Sequence, residues 1–140
     1  MMHKTYNDVN IVPKYSEVES RSNVDLSTNF LGIDLDLPIL SAPMESVVNK
    51  ETAKVMWDQG MLPVLPRFKD VYSSGLASYD LRNEGYTSIP SVGTEKEYYY
   101  FHRNQKAVLI DVAHGHHKLV KEKIEYLQEI YPDVQIIAGN

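Results

Sequence analysis

An uninterrupted apolar run that stops at a carboxylate constrains this chain more than any other feature. Ala107 to Ile110 are apolar, Asp111 ends the run, and a polar loop with three histidines follows. Four apolar residues in a row are typical of a strand buried on both faces of a sheet. After Gly115 a helical pattern begins, so the segment predicts a strand, a loop and a helix. The apolar residues that share one face of this helix are Leu119, Val120, Ile124, Leu127 and Tyr131.

Asp111 is the first candidate functional residue, because the loop at the carboxyl end of a parallel strand is where ligands bind in α/β folds. A carboxylate buried there without partners would cost folding free energy. Two interpretations stay open on these grounds. Asp111 either caps a helix or accepts a hydrogen bond inside the fold, or it holds a hydroxyl or an amide of a ligand.

The strand-then-helix pattern occurs four times and ends on a fifth strand, which predicts a parallel sheet with right-handed crossovers. Strand starts lie about 25 residues apart, close to the spacing of a (β/α)8 barrel. Half of such a barrel is one option. The other is an open doubly wound domain, but no Gly-rich dinucleotide fingerprint follows the first strand. The predicted strands are 37–41, 61–65, 87–92, 107–111 and 134–138, and the predicted helices are 50–59, 70–83, one capped by Thr94 with Glu97, and one that begins after Gly115 and ends at Tyr131.

Composition narrows the class of protein. The 140 residues carry a formal net charge of −5 and are 43% hydrophobic, which predicts a packed core and does not favour nucleic acid or an anionic membrane. The lysines of 118–123 alternate with acids and are expected on a solvated helix face.

No apolar run is long enough for a membrane span, and residues 1–10 are too polar for a signal peptide, so we expect a cytoplasmic protein. The absence of cysteine excludes disulfides, thiolate metal sites and a cysteine nucleophile within this chain.

Five segments of the chain share their order and spacing with a known family. They are Tyr6–Val9 with Val12-Pro13, Ser20–Ser22 with Val24–Leu26, Leu37–Met44, Asp111–His116 and Ile137–Asn140. Together they resemble the IMP dehydrogenase/GMP reductase family, and the resemblance covers Thr5 to Asn140. It implies the N-terminal half of a (β/α)8 TIM barrel, an α/β fold with parallel strands. Residues 1–36 would form an irregular N-terminal arm with a short hairpin at Gly32, and residues 37–140 the first half of the barrel, truncated after its fifth strand.

The chemistry implied by the resemblance is that of a purine-nucleotide oxidoreductase. In this family a cysteine thiolate attacks C2 of the nucleotide, and a nicotinamide accepts or donates a hydride. That cysteine is expected beyond Asn140, so no catalytic residue is assigned within this chain, which alone should not turn over. The resemblance also implies a homo-oligomer.

Two residues match the loop after the first barrel strand, which in this family touches the nucleotide. They are Ser41 and Met44, and the resemblance implies that they contact the substrate, GMP or IMP. Without a ligand, the alternative for Ser41 is a strand-end hydroxyl that caps a backbone group. The alternative for Met44 is packing in the core.

The cofactor implied is NADPH or NAD. A carboxylate suits the hydroxyl and amide groups of the nicotinamide riboside, and an asparagine amide can both donate and accept. An arginine suits a 2′-phosphate or a pyrophosphate, and a surface ion pair is the alternative. The residues that match cofactor-contacting positions are Asp111, Val112, Ala113, Asn140, Ser20, Arg21 and Arg67.

Three positions depart from the family pattern: Glu45 stands where aspartate is usual, Pro66 where histidine is common, and His117 where serine is usual. The family pattern explains His114 and His116 without a metal, so no metal site is expected.

The choice between the family's reactions stays open. The stretch between the second helix and third strand is too short for the regulatory module of most dehydrogenases, which favours NADPH-dependent reduction of GMP to IMP. Ser41 to Met44 look more like the NAD-dependent IMP dehydrogenase, and some of those enzymes lack the module. A third possibility is a non-catalytic half-barrel that needs a second chain to complete it.

Overall fold

The computed structural model describes residues 5–67, 73–95, 101 and 104–139, without the side chain of Tyr6. Residues 5–27 contain two short 3-10 turns, Tyr6–Asp8 and Arg21–Asn23. The strands and helices that follow are β1 (Thr28–Phe30), β2 (Ile33–Leu35), α1 (Lys50–Asp58), β3 (Val64–Leu65), α2 (Ser73–Asn83), β4 (Ile89–Val92), β5 (Ala107–Asp111), α3 (Lys118–Ile130) and β6 (Gln135–Gly139).

Four parallel strands form the central sheet, in the order β3-β4-β5-β6. A parallel bridge between Leu40 and Leu62 extends the pairing beyond β3 towards the segment that precedes it. Spatial order follows chain order, as it does in a (β/α)8 barrel. The prediction of an α/β fold with parallel strands is therefore confirmed. The sheet is consistent with part of a (β/α)8 barrel, and over the described ranges it does not close.

The hairpin β1-β2 packs at the amino ends of the sheet strands. Its turn residues Leu31 and Gly32 both have positive φ, 55° and 70°, which is the backbone of a tight two-residue hairpin turn. Ile33 and Leu35 are buried in one apolar cluster with residues that begin or precede the strands. The hairpin therefore covers the amino end of the sheet. The other buried members of this cluster are Leu62, Val64, Ile89 and Ala107.

Local sequence explains where α1 begins and ends. The Asn49 side chain accepts from the Thr52 backbone N–H at 3.0 Å, and the Thr52 hydroxyl accepts from the Asn49 N–H at 2.8 Å. This reciprocal cap satisfies N–H groups that the first helical turn leaves without partners. At the other end Gly60 has φ 74°, the left-handed conformation that ends many helices.

Small residues bring α2 close to β4. Ser74, Gly75, Ala77 and Ser78 are all buried, and their small size allows the close packing. The Ser78 hydroxyl donates to the Ser88 carbonyl at 3.2 Å, which ties the helix to the residue before β4.

The structure corrects two details. The predicted strand 37–41 is reduced to the Leu40–Leu62 bridge, because Pro38 and Pro63 lack the N–H groups that a longer ladder needs. On α3, Leu119 is exposed and Lys123 is buried, with 2% of its surface accessible, so the lysines of 118–123 do not all lie on a solvated face. The predicted helix after Thr94 falls mostly outside the described residues, and so does Glu97.

None of the helices in the described ranges is long and apolar enough to cross a membrane.

Candidate functional site at the carboxyl end of the sheet

The carboxyl ends of the parallel strands bring several predicted site residues to one edge. Ser41 follows the bridge residue Leu40, Arg67 follows β3, and Asp111 is the last residue of β5. Asp111 is in register with Gly139, the last residue of β6. Parallel strands end at the same edge of a sheet, which is where α/β folds bind ligands.

Arg67 and Asp111 form an ion pair across this edge. The Arg67 Nε lies 3.6 Å from Asp111 Oδ2, and the two side chains are 43% and 35% exposed. The Arg67 Nη1 lies 3.8 Å from Glu95 Oε1, so one guanidinium faces two carboxylates. The pair can serve a polar ligand, because the guanidinium donates to phosphate and the carboxylate accepts from hydroxyl or amide groups. The surface ion pair considered for Arg67 is thus present.

Gly93 makes this contact possible. β4 lies between β3 and β5, so Arg67 must cross the end of β4 to reach Asp111. Gly93 directly follows β4, and a Cβ at this position would lie 2.6 Å from Arg67 Nη1 and would collide with the Glu95 carboxylate. The missing side chain therefore leaves the space that the guanidinium occupies.

Ser41 and Met44 differ in their surroundings. The Ser41 hydroxyl accepts from the Val64 N–H at 2.7 Å and lies 3.3 Å from the Val64 carbonyl, so it caps backbone groups of β3. Met44 is 54% exposed, so the interpretation of Met44 as a core residue is wrong. Contact of either residue with a nucleotide stays a prediction.

The loop after β5 carries the next predicted contacts. Val112 is half-buried and packs against the apolar cluster beneath α3, whereas Ala113 is exposed. The His117 Nδ1 accepts from the Leu119 N–H at 3.2 Å and so caps α3. Within the described part of the chain, no group of three or more histidine, aspartate or glutamate side chains is placed to hold a metal ion.

The remaining predicted residues are not brought to this edge by the contacts seen. Ser20 and Arg21 lie in an exposed 3-10 turn, and the Ser20 hydroxyl pairs with the Ser22 hydroxyl at 2.8 Å. Asn140 lies outside the described residues.

Sequence reasoning missed Gly93, Glu95 and Lys123. The Lys123 Nζ donates to the Glu95 carbonyl at 2.7 Å, and Lys123 is buried. A glycine immediately after a buried strand was a usable signal for close approach at position 93. The contacts of Glu95 and Lys123 depend on how α3 meets the segment after β4, which no local pattern reveals.

Comparison with known proteins gives a consistent assignment. Residues 3–75 match the model of the IMP dehydrogenase / GMP reductase domain. The chain is 32% identical to GMP reductase of Bacillus subtilis over 142 residues, and 30% identical to that of Bacillus licheniformis. GMP reductase of Streptococcus agalactiae is 27% identical over 140 residues. These alignments cover 96% of this chain but only 43%, 43% and 42% of the respective relatives, so the chain spans less than half of their length.

Proposed function

Because this chain belongs to the IMP dehydrogenase/GMP reductase family, we propose that it forms the cofactor- and purine-facing part of a GMP reductase. The proposed reaction is the NADPH-dependent reductive deamination of GMP to IMP. The support for this reaction over others in the family is that the similar curated proteins are GMP reductases.

The observation that carries the proposal is the Arg67–Asp111 pair at the carboxyl edge. Sequence resemblance assigned both residues to cofactor contacts, and they come from separate strands. Asp111 would accept hydrogen bonds from the nicotinamide ribose and carboxamide, with Val112 and Ala113 beside it. Arg67 would donate to a phosphate of the dinucleotide, because a guanidinium matches phosphate oxygens in charge and geometry.

The purine nucleotide would lie against the first loop. Met44 is exposed there and offers an apolar surface to the base. Ser41 would contribute through its backbone position and its remaining lone pair, since its hydroxyl already serves Val64. Ser20 and Arg21 of the N-terminal arm, and Asn140, would add cofactor contacts, as the resemblance implies.

A complementary polypeptide segment is part of this proposal, since the sequence has no cysteine to form the covalent intermediate. The edge at β6 would receive it. Ile136 and Ile137 are half-buried there, unlike the fully buried residues of β4. A groove of about 600 Å³ beside β6 adds apolar surface, and its lining includes Val120, Ile124 and Ala138. Without the complementary segment, the chain would be the non-catalytic half-barrel considered above.

The test combines the chain with the part of the Bacillus subtilis GMP reductase that it does not cover. GMP-dependent loss of NADPH absorbance by the mixture, absent from either component alone, is the expected result. Asp111→Asn should lower the rate, whereas Asp133→Asn, an exposed acid beyond α3, should not.

The alternative reaction is read from the same mixture with IMP and NAD. Turnover in that direction only would assign the chain to the IMP dehydrogenase side of the family. A complex that forms but is inactive in both assays, or an Asp111→Asn variant as active as the original, would contradict the proposed function.

A further inference from the structure

The structure assigns Glu95 a role that the family resemblance does not give it. We infer that Glu95 is a positioning residue that holds the Arg67 guanidinium over the end of β4 and competes with the phosphate groups of a dinucleotide for it. The inference rests on the proposed function, since it takes Arg67 as the phosphate ligand.

Arg67 lies between two acids that come from different strands. Its Nη1 is 3.8 Å from Glu95 Oε1, and its Nε is 3.6 Å from Asp111 Oδ2. The guanidinium of Arg67 thus faces two carboxylates before any ligand arrives. An anionic ligand must therefore overcome the attraction of both carboxylates for Arg67, and also their repulsion.

Glu95 is fixed from beneath by α3. The Lys123 ammonium donates to the Glu95 backbone carbonyl at 2.7 Å, and this lysine is only 2% exposed. An exposed acid on an unanchored backbone would sample many positions and would compete weakly. A backbone anchored by a buried lysine keeps the Glu95 carboxylate within reach of Arg67.

Gly93 provides the space in which Arg67 and Glu95 meet. Arg67 and Glu95 both come so close to the Gly93 Cα that a methyl group there would contact them. The two side chains therefore meet directly above the end of β4, at the edge where the proposed ligand would bind. Asp111 lies one strand further along the edge, so a ligand can use Asp111 for a hydroxyl while its phosphate displaces Glu95 from Arg67.

The contact is weak enough for a ligand to break it. The Arg67 and Glu95 side chains are 43% and 57% exposed, and exposed ion pairs of this kind change an equilibrium by about two- to fivefold. Glu95 thereby keeps the guanidinium aimed across β4 without locking it against exchange.

The experiment measures binding of inorganic pyrophosphate and of NADPH to the full chain by titration calorimetry. Glu95→Gln should bind pyrophosphate about two- to fivefold more tightly than the original chain. Glu129→Gln is the matched control, because it removes the same charge from an exposed position near the other end of α3 and should leave pyrophosphate affinity unchanged. The double variant Arg67→Met with Glu95→Gln should not show this tighter binding of pyrophosphate.

The outcomes separate this inference from the proposed function. Equal pyrophosphate affinities of Glu95→Gln and Glu129→Gln, weaker binding by Glu95→Gln, or no binding by either would overturn the role of Glu95. Asp111→Asn tests the proposed function instead: it should weaken NADPH binding without weakening pyrophosphate binding. If only the NADPH result fails, the ribose role of Asp111 is wrong while the role of Glu95 stands.

Discussion

Arg67 Nε lies 3.6 Å from Asp111 Oδ2, although the two residues follow or end strands that are not neighbours in the sheet. The guanidinium reaches across the end of β4, over Gly93. A single side chain thereby connects the exits of three successive strands. Ser41 lies at the same edge, because it follows Leu40 in the segment that pairs next to β3. Polar groups from the ends of four neighbouring strand segments therefore lie along one edge of the sheet.

Removing the Arg67–Asp111 pair should affect ligand binding far more than folding. In a double-mutant cycle with Arg67→Met and Asp111→Asn, urea unfolding should give a coupling free energy below about 1 kcal/mol, because both groups are partly exposed. A coupling of several kcal/mol would mean that the pair is a structural element of the sheet edge.

Ser41→Ala should destabilise the fold because it leaves the Val64 N–H without its acceptor. The Ser41 hydroxyl accepts from the N–H of Val64, whose side chain is buried at the sheet, and alanine removes this acceptor. We expect a loss of about 1–3 kcal/mol in the free energy of unfolding, measured in urea. Ser46→Ala, at an exposed position in the following turn, is the control and should change stability by less than about 0.5 kcal/mol. Equal effects of the two substitutions would contradict the capping role.

Gly60 and Gly32 form a matched pair for separating backbone strain from crowding. Their φ values are 74° and 70°, but a Cβ at Gly60 would lie 2.9 Å from Asp36 Oδ2 and closer still to its Cβ, whereas Gly32 has open space. Gly32→Ala should cost about 1–2 kcal/mol for the left-handed backbone alone. Gly60→Ala should cost at least about 1 kcal/mol more, because Asp36 must move.

Thermal unfolding of both variants measures the difference. A Gly60→Ala variant no less stable than Gly32→Ala would show that the contact with Asp36 relaxes freely.

The Lys54–Glu84 ion pair, which connects α1 to the residue after α2, should make stability depend on pH in the alkaline range. Glu84 accepts a 2.6 Å hydrogen bond from Lys54, and this bond is the main cause that raises the pKa of Lys54 above its ordinary 10.5, with burial opposing. Because the folded pKa is the higher one, the stabilisation is complete below the unfolded value and is lost as pH rises through the folded value. Lys54→Met should therefore be less stable than the original chain at neutral pH, and the difference should vanish at strongly alkaline pH.

Lys121→Met provides the comparison, because Lys121 is 79% exposed and its ion pair is with Glu125 of its own helix, at 3.7 Å. The difference in stability between Lys121→Met and the original chain should be small at every pH. If Lys54→Met remains equally less stable than the original chain at pH values above the lysine pKa, the loss of stability comes from lost packing and not from the ion pair.

Sequence patterns predicted the elements whose signals are local. The predicted strand 107–111 is β5, and α3 ends one residue before its predicted end at Tyr131, because burial on both strand faces and a helical period leave clear patterns. The first predicted strand was overestimated, since Pro38 and Pro63 limit the pairing near Leu40.

The face of α3 shows what a pattern of residue types can miss. Lys123 lies three residues after Val120 and four before Leu127, so helical spacing puts it on the buried side. Its charge suggested solvent, but its apolar stem packs inward and its amine reaches the Glu95 carbonyl.

The sequence named candidate residues for the site but did not predict how any of them are arranged. Resemblance supplied Arg67 and Asp111 separately. Their contact depends on the lateral order of three strands, on the space above Gly93 and on the position of Glu95, all of which are tertiary features.

The bare backbone at Gly93 has a consequence for how such chains can diverge. A larger residue at this position and a long cation at position 67 exclude each other, since both would fill the same volume. In related sequences the two positions should therefore vary together: wherever a side chain replaces the glycine, a short or differently directed residue should replace the arginine.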